Sequence, residues 1–340
     1  MEIRRLNRQE HINTRRLYEE VFPEDSRSFV DYYYTEKTKD NCIYAAEEDG
    51  GIQAMLHLNP YVLMVNKAAK PADYIVAVAT REKYRRRGFM AELMAAALKS
   101  MYKEGKAFTF LMPAAEGIYL PHGFRTVYEQ ERKFRGSREE ILKEAEARNM
   151  EAAPAKEADV PLLARTAERY LSERYQVYAK RDEKYYIRLL KELSSDGAGL
   201  YLFWKEGEIR DYRIFDADDT GEGQERPKIM VRIVDVRRML MSMGLKGLTA
   251  ACLTVTDPVI EGNNRCLTIT GTEYSGVMLM DGRPENSEGT VTAAALSGFL
   301  FGALSAEDMC KEEGVSLSGR LIGELGKIIP LTRIFLNEAV

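Results

Sequence analysis

Apolar positions in the first 135 residues follow two different periods. "CIYAA", "IQAMLHL" and "YVLMVN" are short apolar runs that predict strands, with the turn "EEDGG" after the first. "YIVAVA" (74–79) is continuously apolar, which is typical of a strand buried on both faces. "HINTRRLYEEVF" and "SFVDYYYTEK" predict helices, and a longer amphipathic helix follows residue 88. This part of the chain is therefore predicted to be an α/β unit.

The rest of the chain divides into two further parts. Residues 136–158 are charged and poor in large apolar side chains, so we expect a linker or a solvated helix there. Helical patterns at 160–175 and 182–194 precede the strand patterns "GLYLFWKEG" and "EIRDYRIF", and 216–227 has the composition of a loop. A helix around "VDVRRMLMSMG", three strand patterns and a helical run at 290–304 complete the chain. The order predicts a mixed α/β and α+β fold.

Composition limits the function classes. The 340 residues suggest two or three domains of a soluble globular protein. A net charge of −4 argues against a general nucleic-acid or anionic-membrane binder. The four cysteines have no zinc-site spacing, which predicts buried thiols and no metal. The charged start lacks a signal peptide pattern, and residues 293–304 are too few to cross a bilayer, so we expect a cytoplasmic protein.

One short segment departs from this acidic balance. In "REKYRRRGFM" (81–90), five of the first seven residues are basic, and a glycine and the predicted helix follow. Because the first backbone N–H groups of a helix lack intrahelical partners, a strand, basic turn, glycine and helix together can hold a phosphate group. The segment has neither a P-loop nor a dinucleotide-binding pattern. A solvated surface turn is the alternative.

The wider segment "VAVATREKYRRRGFM" resembles motif A of the GNAT acetyltransferases. The resemblance implies that acetyl-CoA is the co-substrate, that the turn binds its pyrophosphate, and that the preceding strand lines the pantetheine arm. Met90 stands where that family usually has a small residue. The cofactor-binding residues implied in this way are Val76, Ala77, Val78, Arg85, Arg86, Arg87, Gly88, Phe89 and Met90.

Three landmarks, "AVATREKYRRRG", "AAEGIYLPHGF" and "PKIMVRIVDVRRML", resemble in their order the enhanced intracellular survival (Eis) type of N-acetyltransferase. The resemblance implies a GNAT domain at 1–150 and an abbreviated, degenerate GNAT-like domain at 151–227. A sterol-carrier-like domain at 228–340 would send its C-terminal tail to the active site. It also implies one acetyl-CoA site per chain and a homo-oligomer, trimeric or hexameric.

The implied reaction is acetyl transfer to a primary amine by direct attack within a ternary complex. An aminoglycoside, a polyamine, or a lysine or peptide amine is a possible acceptor, and a broad, negatively lined cleft is implied. The implied base is the α-carboxylate of Val340. Phe124 replaces the tyrosine that serves this family as the acid, which leaves Tyr119, His122 and Tyr128 as substitutes.

Two other functional classes are compatible with the sequence. A protein on the same fold can bind CoA without turnover, which the replacement of the tyrosine by Phe124 favours. A lipid carrier built on the C-terminal domain is the other class. For Glu116 we consider either a contact to a cationic amine or an ordinary carboxylate at a helix start.

Overall fold

A long antiparallel hairpin forms the centre of the first sheet. The computed structural model describes residues 1–130, 135–215 and 226–338. In the first range the strands are β1 (Glu2–Arg5), β2 (Cys42–Glu48), β3 (Gly51–Val65), β4 (Ala68–Thr80), β5 (Phe108–Leu111) and β6 (Arg125–Glu129). The helices are α1 (Arg15–Val21), α2 (Arg27–Thr35), α3 (Phe89–Lys103) and α4 (Glu116–Tyr119).

The second range combines three helices with a small sheet. Its strands are β7 (Arg135–Gly136), β8 (Glu151–Pro154), β9 (Val177–Ala179), β10 (Gly199–Lys205) and β11 (Glu208–Phe215). Its helices are α5 (Arg138–Ala147), α6 (Val160–Arg174) and α7 (Glu183–Ser195). The segment expected to be a linker or a solvated helix therefore contains both a helix and a strand. Most of the expected loop at 216–227 lies outside the described residues.

The third range is α+β, as the sequence predicted. Its strands are β12 (Lys228–Ile233), β13 (Gly244–Leu245), β14 (Thr249–Thr256), β15 (Arg265–Thr272), β16 (Gly276–Asp281), β17 (Gly289–Thr292), β18 (Ser316–Leu317), β19 (Ile328–Ile329) and β20 (Ile334–Phe335). Its helices are α8 (Val236–Leu240), α9 (Ala293–Leu300), α10 (Ala306–Met309) and α11 (Gly319–Leu325).

The largest sheet draws strands from all three ranges. Its order is β1-β2-β3-β4-β5-β12-β6, with β9 on β3 and β20 on β9. The separate sheets are β7-β11-β10-β8, β16-β15-β14-β17-β18 and the pair β13-β19. The strand β12 pairs antiparallel with both β5 and β6. The periodicity of the sequence did not identify β12 as a strand, because its partners lie more than a hundred residues away.

The strand β3 runs unbroken through Pro60, so the expectation of two short strands was wrong. On one side β3 pairs with β4 along most of its length. On the other side of β3, the pairing with β2 stops at Leu58, and the pairing with β9 starts at Leu63. Proline lacks an N–H group, and it is tolerated here because no strand pairs with residues 59–62 on that edge.

The two faces of this sheet carry different cores. Leu56, Leu58 and Ile75 lie in one buried cluster with the apolar stripe of α3. The opposite face contributes Leu63 and Val76 to the larger cluster that includes α9 and the five-stranded sheet. Since successive side chains of a strand alternate between faces, His57 and Asn59 lie on this second face. The hairpin is therefore buried on both faces.

A buried ion pair joins β12 to the C-terminal part of the chain. Nη2 of Arg232 donates to Oδ1 of Asp257 at 2.8 Å, and both side chains are almost fully buried. Asp257 also accepts from the backbone N–H of Val259 and Ile260 and from Nδ2 of Asn263. Burial lowers the pKa of Arg232, and Asp257 opposes this effect. The pair fixes the turn after β14 against the first sheet.

Replacing Asp257 with Asn is expected to reduce the free energy of unfolding by about 3–5 kcal/mol, since it leaves the buried Arg232 charge unpaired. The matched control is Asp281→Asn, which breaks the ion pair of Arg237 with an exposed carboxylate. That change should cost less than about 1 kcal/mol. Thermal unfolding of the two variants measures the difference, and equal melting temperatures would contradict this account of the pair.

Candidate functional site

The strands β4 and β5 part after only two residue pairs. They run parallel with Tyr74 opposite Phe110 and Ile75 opposite Leu111. β5 then ends, while β4 continues to Thr80. Along residues 76–80, no described strand pairs with β4 on this side. Apart from the Thr80 carbonyl, which accepts from Nε of Arg85 at 3.2 Å, the peptide groups on that edge of β4 are therefore available to a ligand.

A β-bulge lies in the unpaired part of β4. Ala77 and Val78 together stand opposite Leu56, because the register shifts between Met55 and His57. Ala77 has a φ of +48°, a left-handed conformation that is uncommon for a residue with a side chain. Such a conformation costs on the order of 1–3 kcal/mol and persists where the surroundings enforce it. The bulge changes the direction of the β4 backbone at the gap.

The helix α3 begins where β4 and the basic turn end. Its N-cap is Gly88, with a φ of +87° and no side-chain capping bond. A Cβ atom at Gly88 would meet nothing within 4 Å, so glycine serves the left-handed backbone here and relieves no close contact. The first N–H groups of α3 are free of side-chain caps, and the partial positive charge of the helix is concentrated there.

The basic residues of the turn differ in their contacts. Among the described residues, Arg85 and Arg86 form no ion pair, and both are exposed. Arg87 instead pairs with Glu48, and its guanidinium lies 5.0 Å from the centre of the Tyr84 ring. The Phe89 ring is buried, and Met90 is half-buried. The expected cofactor-binding residues thus lie around the gap between β4 and β5. Arg87 differs from the others because Glu48 and Tyr84 already contact its guanidinium.

A row of polar side chains follows β3 on the face away from α3. His57 is fully buried, and its Nδ1 lies 2.9 Å from the Tyr33 hydroxyl. Its Nε2 has no hydrogen-bond partner among the described residues, and neither polar atom of the buried Asn59 has one. In register, His57 stands opposite Val76 and Asn59 opposite Tyr74. Neither His57 nor Asn59 is predicted to have a role from the sequence, since strand spacing alone does not distinguish these two residues from core residues.

A cavity of about 230 Å³ borders the edge of β3 at residues 59–62, where no strand pairs and where the Val62 carbonyl accepts from the backbone N–H of Lys180 at 2.8 Å. Its wall comes from β3, from the segment after α2, from α7 with the residues before it, and from the C-terminal segment. The lining residues are Lys37, Asp40, Asn59, Pro60, Tyr61, Val62, Lys180, Asp182, Lys184, Tyr185, Arg188, Leu189, Glu192 and Glu338. Tyr61 connects this cavity to β4, because its ring lies 6.2 Å from that of Tyr74.

The C-terminal segment enters the molecule beside this cavity. β20 pairs parallel with β9, and Nε2 of Gln130 donates to the carbonyl of Leu336 at 3.0 Å. The buried Glu338 accepts from Nη2 of Arg181 at 2.9 Å and from the Tyr185 hydroxyl. Burial disfavours the charge of Arg181, but Glu338 and the neighbouring tyrosines hold its pKa well above the usual value. Val340, the expected base, lies outside the described residues.

The expected proton donors have different surroundings. Tyr119 is buried in α4, its hydroxyl has no hydrogen bond to the described protein groups, and burial raises its pKa. The pKa of His122 is lowered by burial and by the charge of Arg232, and Nε of Arg232 donates to the His122 carbonyl. His122 therefore lies against β12.

Three further residues from the sequence analysis are held by protein contacts. Phe124 is fully buried, with its ring centre 6.0 Å from that of Tyr119. The hydroxyl of Tyr128 donates to Oδ1 of Asn337 at 2.7 Å. Glu116 pairs with Lys228 at 2.8 Å and accepts from Thr126. Tyr128 thus contacts the C-terminal segment directly.

The family model described as "Acetyltransferase (GNAT) domain" matches residues 2–127. Residues 2–127 have the GNAT fold. The match includes the basic turn, the β4–β5 gap and the start of α3, so these features belong to the GNAT fold. No curated protein sequence matches the chain.

Several solved structures share the fold over nearly the whole chain. A probable N-acyltransferase from Enterococcus faecalis V583 is 15% identical with a TM-score of 0.76, covering 97% of this chain and 98% of its own. A GCN5-related N-acetyltransferase from Anabaena variabilis is 12% identical with a TM-score of 0.72, covering 96% and 97%. Eis1 from Mycobacterium abscessus is 12% identical with a TM-score of 0.67, covering 98% and 99%. At such identities, the likeness shows the fold alone.

Neither a membrane-spanning helix nor a cluster of metal-binding side chains is present among the described residues. No described helix is long and apolar enough to span a membrane. Within the same ranges, no group of three or more His, Cys, Asp or Glu side chains is arranged to hold a metal ion.

We expect the His57 ring to remain neutral well below pH 6, because burial lowers its pKa to about 3. Unfolded His57 binds a proton below about pH 6.5, so the free energy of unfolding should decrease as the pH falls below that value. The slope should approach about 1.4 kcal/mol per pH unit. Denaturation of the native protein and of His57→Gln at pH 7 and pH 5 measures the difference. An imidazole NMR titration of His57 centred near pH 6.5 would contradict the assignment.

Proposed function

We propose that the protein is an acetyl-CoA-dependent N-acetyltransferase that acetylates a primary amine by direct attack in a ternary complex. The observation that carries this proposal is the gap between β4 and β5, with the uncapped N-terminus of α3 at its mouth. A gap of this kind offers peptide groups along a strand to an amide-containing chain. The helix start beside it offers N–H groups to a phosphate group.

The proposed cofactor site follows from these two features. Arg85 and Arg86 have no ion-pair partner among the described residues and contribute positive charge beside the first turn of α3. Gly88, Phe89 and Met90 supply backbone N–H donors to the pyrophosphate of acetyl-CoA. Val76, Ala77 and Val78 line the pantetheine arm, and their peptide N–H groups polarise the thioester carbonyl, which develops negative charge during attack. Arg87 contributes less, since Glu48 already neutralises it.

For the proton donor we propose Tyr119 rather than His122. Its raised pKa keeps the phenol protonated at neutral pH, and a thiolate leaving group can accept that proton. The lowered pKa of His122 leaves its imidazole mostly neutral, and its contacts are to β12. For the base we propose the α-carboxylate of Val340. The burial of Glu338 at the cavity wall supports this, because it places the chain two residues earlier beside the β3 face.

The domain organisation and the oligomeric state are also proposals. The whole-length likeness to Eis1 supports an Eis-type arrangement with domains at 1–150, 151–227 and 228–340. We assign the last of these as sterol-carrier-like, with a role in shaping the acceptor site. A cytoplasmic homo-oligomer, trimeric or hexameric, that binds neither nucleic acid nor membranes stays a prediction. The alternative of CoA binding without turnover becomes the better description if acetyl-CoA binds and no amine releases thiol.

Replacing both Arg85 and Arg86 with Gln is expected to weaken acetyl-CoA binding about tenfold or more, since two charge-assisted contacts to phosphate are lost. The effect should shrink at high salt, because exposed charges are screened. The control removes two exposed lysines elsewhere, Lys143→Gln with Lys311→Gln. Isothermal titration calorimetry measures the dissociation constants, and equal values for the two double variants would place the pyrophosphate elsewhere.

Deletion of residues 339 and 340 is expected to lower kcat about a hundredfold or more, the usual loss when a general base is removed. The KM for acetyl-CoA should change little. The matched control appends one glycine after Val340, which keeps every side chain and moves the terminal carboxylate. Thiol release measures both variants after circular dichroism shows that they are folded. Full activity in either variant would mean that another group acts as the base.

A further inference from the structure

The charges around the cavity beside β3 are almost balanced. Its wall contains four carboxylates and four cationic side chains. The carboxylates are Asp40, Asp182, Glu192 and Glu338, and the cations are Lys37, Lys180, Lys184 and Arg188. Arg181 adds a further positive charge behind Glu338. The wall of this cavity is therefore not predominantly negative, unlike the cleft expected from the sequence.

Every carboxylate of the wall already accepts from a donor within the protein. Glu192 pairs with Lys37 at 2.9 Å, and both side chains are buried. Glu338 pairs with Arg181, and Asp40 pairs with Arg188 at 2.9 Å. Asp182 caps α7 by accepting from the backbone N–H of Tyr185 at 3.0 Å. Among the described residues of the wall, a polycationic ligand would thus meet one carboxylate without an ion pair, Asp182, and that carboxylate already accepts from a backbone N–H group.

The cations of the wall are less fully engaged. Lys180 is exposed and forms no ion pair with the described residues. Lys184 is 79% exposed, and its Nζ lies 3.9 Å from the Asp40 carboxylate, at the limit of an ion pair. Both lysines line the cavity. Against the single carboxylate without an ion pair, Asp182, these two lysines leave a small net positive charge available to a ligand.

Asn59 supplies a second, independent observation at the inner wall. Its side chain is 1% exposed, and neither its amide nitrogen nor its amide oxygen has a partner among the described residues. A buried polar atom without a partner costs about 1–3 kcal/mol, so a ligand that pairs with it gains affinity. Asn59 lies opposite Tyr74, two residues before the unpaired stretch of β4 begins at Val76. Asn59 thus lines the cavity on the strand that pairs with β4.

We propose that the acceptor amine belongs to a molecule that also carries a carboxylate, namely a free amino acid or a short peptide. The inference rests on the proposed acetyltransferase function and names the acceptor class of that same site. The carboxylate lies toward Lys180 and Lys184, and the amine lies toward the Asn59 amide and the gap. Such an acceptor complements the unpaired groups of the wall and requires no free carboxylate from it.

The size of the cavity agrees with this class of acceptor. At 230 Å³ it is somewhat larger than an engineered cavity of about 150 Å³ that binds benzene. A free amino acid fits such a space, whereas an aminoglycoside would extend out of it. Polyamines are thin enough to enter, but their several ammonium groups would face Lys180 and Lys184, and Asp182 is the one described carboxylate of the wall without an ion pair. Charge therefore disfavours both polyamines and aminoglycosides as acceptors.

The reaction then balances as an ordinary acyl transfer. The neutral amine nitrogen attacks the thioester carbonyl carbon, a C–N bond forms, and the C–S bond breaks. The proposed terminal carboxylate takes a proton from the amine, and the thiolate of CoA takes one from the proposed acid. The products are an N-acetylated amino acid or peptide and CoA.

The test uses acceptor pairs that differ only in the carboxylate. Thiol release from acetyl-CoA is measured with L-lysine against cadaverine and with L-phenylalanine against phenethylamine, and with glycylglycine, spermidine and kanamycin as further acceptors. We expect the carboxylate-bearing member of at least one pair to have a kcat/KM at least tenfold higher than its partner. Spermidine or kanamycin as the better acceptor would overturn the proposal.

The charge-removing variant is Lys180→Gln with Lys184→Gln. We expect the KM for the preferred carboxylate-bearing acceptor to rise tenfold or more, while kcat and the KM of its decarboxylated partner stay within about twofold. The control is Lys191→Gln on the same helix, where the lysine pairs with Glu36 and does not line the cavity. An equal rise for both members of a pair would overturn the carboxylate assignment.

Direct binding separates this inference from the proposed function. If no amine in the panel releases thiol, the acetyltransferase proposal fails for these acceptors, and calorimetry with the same matched pairs then decides the inference. Binding of L-lysine or L-phenylalanine that the double lysine variant abolishes would support the cavity assignment without turnover. Equal binding of acid and decarboxylated amine, or no binding of either, would overturn it.

Discussion

Two stretches of strand edge on the β3–β4 hairpin have no strand partner, and both candidate sites lie against them. β4 loses β5 after Ile75, and β3 has neither β2 nor β9 beside residues 59–62. Backbone N–H and C=O groups need partners, so an open edge inside a packed sheet is a place where a ligand can supply them. The two openings lie on opposite edges of one hairpin, so the proposed acyl donor and the proposed acceptor approach the same pair of strands from its two sides.

Buried charge organises the rest of the acceptor site. The pairs Lys37–Glu192 and Arg181–Glu338 join segments that lie more than 150 residues apart in the chain. A buried ion pair adds little net stability compared with apolar residues, but removing one partner is costly. These pairs therefore define which segments surround the cavity. They also commit Glu192 and Glu338, so the balance of charge left for a ligand is set by the exposed Lys180, Lys184 and Asp182.

Local sequence patterns predicted the strand, the turn and the helix that surround the proposed acetyl-CoA site. The apolar run 74–79, the basic turn and the stripe of α3 follow one another in the chain, so their arrangement depends on neighbouring residues. The acceptor side was not predictable in this way. His57 and Asn59 have the spacing of any strand residues, and only tertiary packing leaves Nε2 of His57 and both polar atoms of Asn59 buried without partners among the described residues. The strand β12 was missed for the same reason, because its partners are distant in sequence.

The sequence by itself determined the helix start at residues 88–89, the turn charge and the apolar run 74–79 of a strand buried on both faces. These depend on backbone preferences and on periodicity over a few residues. Only the tertiary structure decided that β5 leaves β4 at Ile75, that β12 completes the sheet, and that Glu338 reaches Arg181. Those outcomes depend on contacts between residues far apart in the chain, where the free energy of packing and ion pairing, rather than local propensity, selects the partner.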